Sequence, residues 1–154
     1  MHNDLIFKLP DVASTKELAR RIYPHFRKGD FVALYGPLGV GKTEFARAFI
    51  GAMGVQGEIP SPTFTLVQHY DGKDFPVFHF DLYRLKNHNE LEELGWDDAI
   101  ATGLVLVEWP EKAGAYLPRN RLEMHFSSDD KEGRFIKLMP FGEWEERVRT
   151  LFNE

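Results

Sequence analysis

Apolar residues along this chain fall into alternating helical and strand-like runs. Leu18, Ala19 and Ile22 lie at helical spacing behind Ser14-Thr15-Lys16-Glu17, a Ser-x-x-Glu pattern that predicts a capping box opening the helix. Pro24 marks its end. Lys28-Gly29-Asp30 reads as a turn, and residues 31–35 form the continuous apolar run of a strand covered on both faces of a parallel sheet. A glycine-rich stretch from Gly36 to Gly41 leads into a second helical pattern over residues 43–53, with Phe45, Ala46, Phe49 and Ile50 inward. Ile59-Pro60-Ser61-Pro62 breaks the chain. β-branched and aromatic content then predicts a strand over 63–70, a turn at 71–74 and a strand over 77–81. Residues 89–101 read as a helix with Leu91, Leu94 and Ile100 inward, and 104–108 as a short apolar strand closed by an acid. Residues 121–126 and 134–139 form a pair of late strands. Residues 143–152 close the chain as an amphipathic helix carrying Trp144, Val148, Leu151 and Phe152 on one side. This order predicts an α/β fold of three layers, a mostly parallel central sheet flanked by helices, with residues 1–154 as a single domain.

Composition narrows the chemistry. The chain has 154 residues with ordinary hydrophobic (43%) and charged (28%) content, enough for a self-sufficient core. Nineteen basic against 24 acidic residues give net −5, which excludes a chain-wide basic footprint for nucleic acid or anionic lipid but leaves a local basic patch open. There is no cysteine, so a disulfide framework, a thiol nucleophile and a Cys-ligated zinc site are all excluded. The N-terminus lacks the basic and apolar segments of a signal peptide, and the apolar runs are strand-sized. The expectation is a cytosolic chain with no membrane partner.

Gly36-Pro37-Leu38-Gly39-Val40-Gly41-Lys42-Thr43 fits G-x-x-x-x-G-K-[ST] without a mismatch. Glycines let successive backbone N–H groups, from Pro37 through Thr43 where the residue has one, crowd around phosphate oxygens. The helix that follows adds the positive end of its dipole. Lys42 is expected to bridge the β- and γ-phosphates and the Thr43 hydroxyl to hold Mg²⁺. The preceding apolar strand and following helix are the context this motif requires.

Such a site needs an acid at the carboxyl end of a neighbouring strand. Asp81 ends one predicted strand and Glu108 another, and spacing leaves open which of them touches the metal. Ser61, Thr63 and Thr65 lie where a mobile, metal-sensing segment would sit, or else cap a Pro-kinked strand entry. Arg84 has two readings, a phosphate or partner contact and an ion pair with Glu90 or Glu92; Arg47 reads as a surface ion pair. Trp109, beside Glu108, has two readings, packing over the site and a core role, of which the core role is preferred; His79, between Phe78 and Phe80, reads as an ordinary strand residue.

Taken together, the phosphate loop with Arg47, then Ser61-Pro62-Thr63-Phe64-Thr65-Leu66-Val67, then His79-Phe80-Asp81-Leu82-Tyr83-Arg84-Leu85, then Val107-Glu108-Trp109-Pro110-Glu111 resemble the bacterial TsaE (YjeE) family. The resemblance runs from about Leu9 to Leu138. It implies an ATPase subunit for threonylcarbamoyladenosine (t6A) modification of tRNA, binding ATP and ADP with Mg²⁺ and turning over slowly. Its implied partners are TsaD-like and TsaB-like proteins, which it resets between turnovers, with tRNA met only indirectly. It further implies Lys42 and Thr43 as phosphate and Mg²⁺ ligands, Glu108 as the second metal-associated acid, Asp81 as the hydrolytic or water-orienting carboxylate, and Ser61 to Thr65 as a switch-like loop. Gly133-Arg134 resembles a late family feature near the nucleotide base. Pro37 and Val40 depart from the acidic residue and the alanine usual in the family; neither position supplies a phosphate-binding side chain.

The competing readings are a small phosphate-loop kinase and a nucleotide switch. The first would want an arginine-rich lid segment. The second, if guanine-specific, would want Asn-Lys-x-Asp, which is absent. A module that merely retains nucleotide would not need two strand-end acids.

Overall fold

The computed structural model describes residues 5–55, 57–62, 65–129 and 133–152. The chain runs β1 (Leu5–Leu9), α1 (Val12–Ile22), a 3-10 turn (Tyr23–His25), β2 (Phe31–Tyr35), α2 (Lys42–Ala52), β3 (Val67–Asp71) and β4 (Pro76–Asp81). It continues through α3 (Glu90–Glu93), α4 (Trp96–Thr102), β5 (Leu104–Glu108), a second 3-10 segment (Pro110–Tyr116), β6 (Arg121–Asp129), β7 (Gly133–Phe141) and α5 (Trp144–Phe152).

The strands form one seven-stranded sheet in the order β1-β7-β6-β2-β5-β4-β3. β6, β2, β5 and β4 are parallel, and the outer pairings are antiparallel. β2 and β5 have continuous apolar sequences because both of their faces are covered. On one face Leu34, Leu106 and Met124 pack against Leu18 and Ile22 of α1, Phe45 and Phe49 of α2, and Trp144 and Val148 of α5. On the other, Phe31, Val105 and Phe80 pack against Leu91, Trp96 and Ala99. The expected three layers with a mostly parallel centre are therefore present.

Four local expectations change. The α1 cap is Asp11, not Ser14: its carboxylate accepts from the Ser14 backbone N–H at 2.8 Å and the Ser14 hydroxyl at 2.7 Å. Those bonds hold the Asp11 pKa below its ordinary 3.8, and Glu17, the supposed reciprocal arm, lies 3.9 Å from Arg20 instead. The strand expected from residue 63 begins at Val67, because Leu66 takes a left-handed φ of 68° and its N–H turns back to the Pro62 carbonyl at 2.7 Å. The helix expected over 89–101 is two short helices, broken where Gly95 adopts φ 78° and caps α4. The short edge strand β1, whose Leu5, Phe7 and Leu9 face the first core, had only a five-residue alternation to announce it. In α5 Trp144 and Val148 are buried as expected; the side chain of Phe152 lies outside the described residues.

Candidate functional site

Because β2, β5 and β4 run parallel, their carboxyl ends emerge on one edge of the sheet. There β2 passes into the phosphate loop, and Asp81 and Glu108 end neighbouring strands as a register pair. Gly36, Gly39 and Gly41 take positive φ values of 143°, 76° and 105°. Gly36 is also fixed by contact: a Cβ there would meet the Phe126 carbonyl oxygen at 2.8 Å. Val40 anchors the loop from beneath, buried in the first core, whereas Pro37 and Leu38 are exposed. Of these three, only Leu38 and Val40 carry a backbone N–H that a phosphate could meet; Pro37 has none.

α2 begins at Lys42, so Lys42 and Thr43 project from its first turn. The Thr43 hydroxyl donates to Glu108 Oε1 at 2.7 Å. Lys42 is buried; its Nζ bonds the Gly36 carbonyl at 2.5 Å and lies 3.7 Å from the centroid of the Trp109 ring. Burial pushes the Lys42 pKa below 10.5, against the opposing pull of Glu108, Glu111 and Asp81. Asp81 is buried, and its Oδ1 accepts from the Tyr83 backbone N–H at 3.0 Å. Its own N–H donates to the Leu66 carbonyl at 2.9 Å, tying Asp81 to the end of the Ser61–Leu66 stretch.

These groups open onto a cavity of about 1070 Å³ lined by Gly39, Gly41, Lys42, Thr43, Asp81 and Glu108. Lys16, Arg20, Arg47, Arg84 and Arg134 also line it, a cationic surround within an acidic chain. Its arginines come from α1, α2, the turn after β4, and β7, so they do not form one lid segment. Arg84, which has two readings in the sequence, and Arg47 both line the cavity, Arg47 while staying exposed as expected. Arg134, set near the base by the family resemblance, bonds Glu44 Oε2 at 2.8 Å over Gly41. Ser61 and Thr65 are not among the described lining residues; the Thr65 hydroxyl accepts from Gln68 Nε2 at 3.0 Å. Thr63 lies outside the described residues.

Two residues whose preferred sequence readings are structural also touch the candidate site. Trp109 adopts a left-handed backbone, φ 58° and ψ 48°, just before Pro110, a strained choice for a bulky residue. That bend lays its ring over Lys42 and beside Tyr83, with 5.1 Å between ring centroids. His79 is wholly buried, with Nε2 2.7 Å from Glu108 Oε2. A strand period of two puts His79 and Asp81 on one face, and that spacing was the available signal.

Just beneath the loop, Tyr35 stacks on His125 with centroids 4.5 Å apart. Burial, helped by Glu123, pushes the Tyr35 hydroxyl up to about 12. Glu123 itself would be raised by burial, but hydrogen bonds from His125 and Arg121 outweigh this and hold it below 4.5.

The donor set suits a hard cation. Thr43 offers a hydroxyl and Glu108 a carboxylate, beside a loop built to hold phosphate. Among the described residues no group of three or more His, Asp or Glu side chains could hold a metal ion. No helix among the described residues is long and apolar enough to cross a membrane.

Comparison with known proteins places this architecture. The family model for "Threonylcarbamoyl adenosine biosynthesis protein TsaE" matches residues 9–136. The tRNA threonylcarbamoyladenosine biosynthesis protein TsaE of Rickettsia conorii is 37% identical over 81% of this chain and 72% of its own length. Its namesake from Haemophilus influenzae is 43% identical over 75% and 73%, and that from Bacillus subtilis 36% identical over 83% and 80%. A crystal structure of Bacillus subtilis YdiB superposes with a TM-score of 0.84 at 28% identity, covering 99% of this chain and 97% of that one.

Proposed function

The chain belongs to the TsaE family of threonylcarbamoyl adenosine biosynthesis proteins, and from that premise we propose that it is the Mg²⁺-dependent ATPase subunit of t6A tRNA modification. It binds ATP in the phosphate loop, hydrolyses it slowly, and uses the cycle to reset a complex of TsaD-like and TsaB-like proteins in the cytoplasm. The tRNA is held by those partners, in keeping with a net charge of −5 on this chain.

The observation that carries the reading is the Thr43–Glu108 hydrogen bond at the head of an intact phosphate loop. It brings the two oxygen donors of a nucleotide-associated cation together across a sequence separation that no local constraint would require. Mg²⁺ bound there would neutralise charge on the transferring phosphoryl group. Thr43 and Glu108 would hold it, Glu108 directly or through water. Lys42 turns from the Gly36 carbonyl to the β- and γ-phosphate oxygens. Asp81, oriented by the Tyr83 N–H, positions the attacking water and takes its proton. On binding, the Lys42 bond to the Gly36 carbonyl would be exchanged for phosphate contacts, whereas the Thr43 hydroxyl can keep donating to Glu108 while its oxygen lone pair meets the cation.

Phosphate release by the isolated chain tests this directly. The expected rate lies well below about 10 s⁻¹, the middle of the metabolic-enzyme range, and rises when the partner proteins are added. Turnover at that ordinary rate with no partner effect would overturn the reading. GTP is expected to compete poorly with ATP in the same assay.

A further inference from the structure

We propose that His79 is a positioning residue for Glu108, gripping one carboxylate oxygen so that the other stays aimed at Thr43 and the cation; the inference rests on the reading of Glu108 as the metal-side acid. β4 and β5 are parallel, with His79 beside Leu106 and Asp81 beside Glu108. Alternation puts all four side chains on the face beneath α2. His79 thus lies one step deeper than the two acids, and Glu108 is caught between it and the helix. Oε2 of Glu108 meets His79 Nε2 at 2.7 Å while Oε1 accepts from Thr43 at 2.7 Å.

The ring makes poor sense as mere filling. It is fully buried, and its Nδ1 has no hydrogen-bond partner among the described residues. An apolar side chain of the same shape would avoid leaving that atom desolvated and unpaired. Among the described residues, the polar interaction that the imidazole makes is with Glu108. With Nε2 donating to Oε2, the bare nitrogen is Nδ1. When the cation draws on the Thr43 oxygen and on Oε1, His79 still holds Oε2, so the carboxylate keeps its direction. Partners of this outer kind are worth on the order of tenfold or more in metal affinity.

Mn²⁺ serves as the probe. Its affinity for the ADP-loaded full chain, read by electron paramagnetic resonance, is compared for wild type, His79→Leu, His79→Asn, His79→Gln and Glu108→Gln, alongside metal-free ADP affinity by calorimetry. Glutamine extends an amide to the place of the imidazole Nε2, and asparagine stops short of it. The expected result is a loss of about tenfold in His79→Leu and His79→Asn, recovery in His79→Gln, and unchanged metal-free ADP affinity in all three. If His79→Leu does not fold, the Asn–Gln contrast decides. Equal Mn²⁺ affinity in His79→Asn and wild type, with Glu108→Gln impaired, would overturn the positioning role alone. Equal weakness in His79→Gln and His79→Asn would also overturn it, pointing to burial instead of the hydrogen bond. Wild-type affinity in Glu108→Gln would remove the underlying reading of Glu108 as well.

Discussion

Replacing Lys42 with Ala is expected to lower ATP hydrolysis by about 10²–10³-fold while leaving the thermal midpoint at or above that of the wild type. The rate loss is of the size seen when one preorganised group facing developing charge is removed. The stability expectation has a separate origin. Lys42 is a buried ammonium with its pKa pushed down by desolvation. It retains one carbonyl bond and the face of Trp109 in compensation. Burying a charge is costly even when it is paired, so truncation relieves the fold at the expense of the site. Glu108 and Asp81 lose a neighbouring cation, which limits the relief. Phosphate release and a thermal melt on the same sample check both halves. Hydrolysis within threefold of wild type would remove Lys42 from the phosphate chemistry. A large drop in midpoint would make its role structural.

Phe49→Ala is expected to do the opposite, costing about 3–5 kcal/mol of folding stability out of the 5–15 kcal/mol usual for a domain. The ring is fully buried on the inner face of α2. It meets Phe26 edge-on at 5.0 Å and Phe45 at 6.0 Å, and Phe26 in turn meets Trp144 of α5 at 5.1 Å. Removing it opens a cavity where α1, α2 and α5 converge on the sheet. Because α2 carries Lys42 and Thr43 at its first turn, loosening it is expected to weaken ATP binding as a secondary effect. Urea unfolding measures the first, and a binding titration at low temperature, where the variant remains folded, measures the second. A loss below about 1 kcal/mol would show that the aromatic cluster repacks around the gap.

What was legible in the sequence followed from strong local rules. β5 appears at the expected residues because four apolar positions closed by an acid leave little choice. The phosphate loop was legible because three of its glycines occupy conformations that other residues avoid. Asp81 and Glu108 were each legible as strand-end acids, and the parallel pairing of β4 with β5 brings them to one edge. Tertiary detail was harder to see. Trp109 packs against the second core as its composition suggests, but the left-handed backbone before Pro110 that also lays it over Lys42 has no sequence signal. His79 looked like strand filler because its significance lies in a partner 29 positions away. The cationic surround gathers side chains from four elements, and no segment of the sequence is basic enough to announce it. Asp11 displaced Ser14 as the cap because both fit the start of α1, and the choice turns on where the first helical residue falls.

The most direct test is reconstituted t6A formation with TsaD-like and TsaB-like partners, Asp81→Ala in place of wild type, followed over many turnovers. If the chain supplies a resetting ATP cycle, the variant supports at most the first round and product then stalls near one equivalent per complex. Sustained wild-type yield from Asp81→Ala would contradict that role.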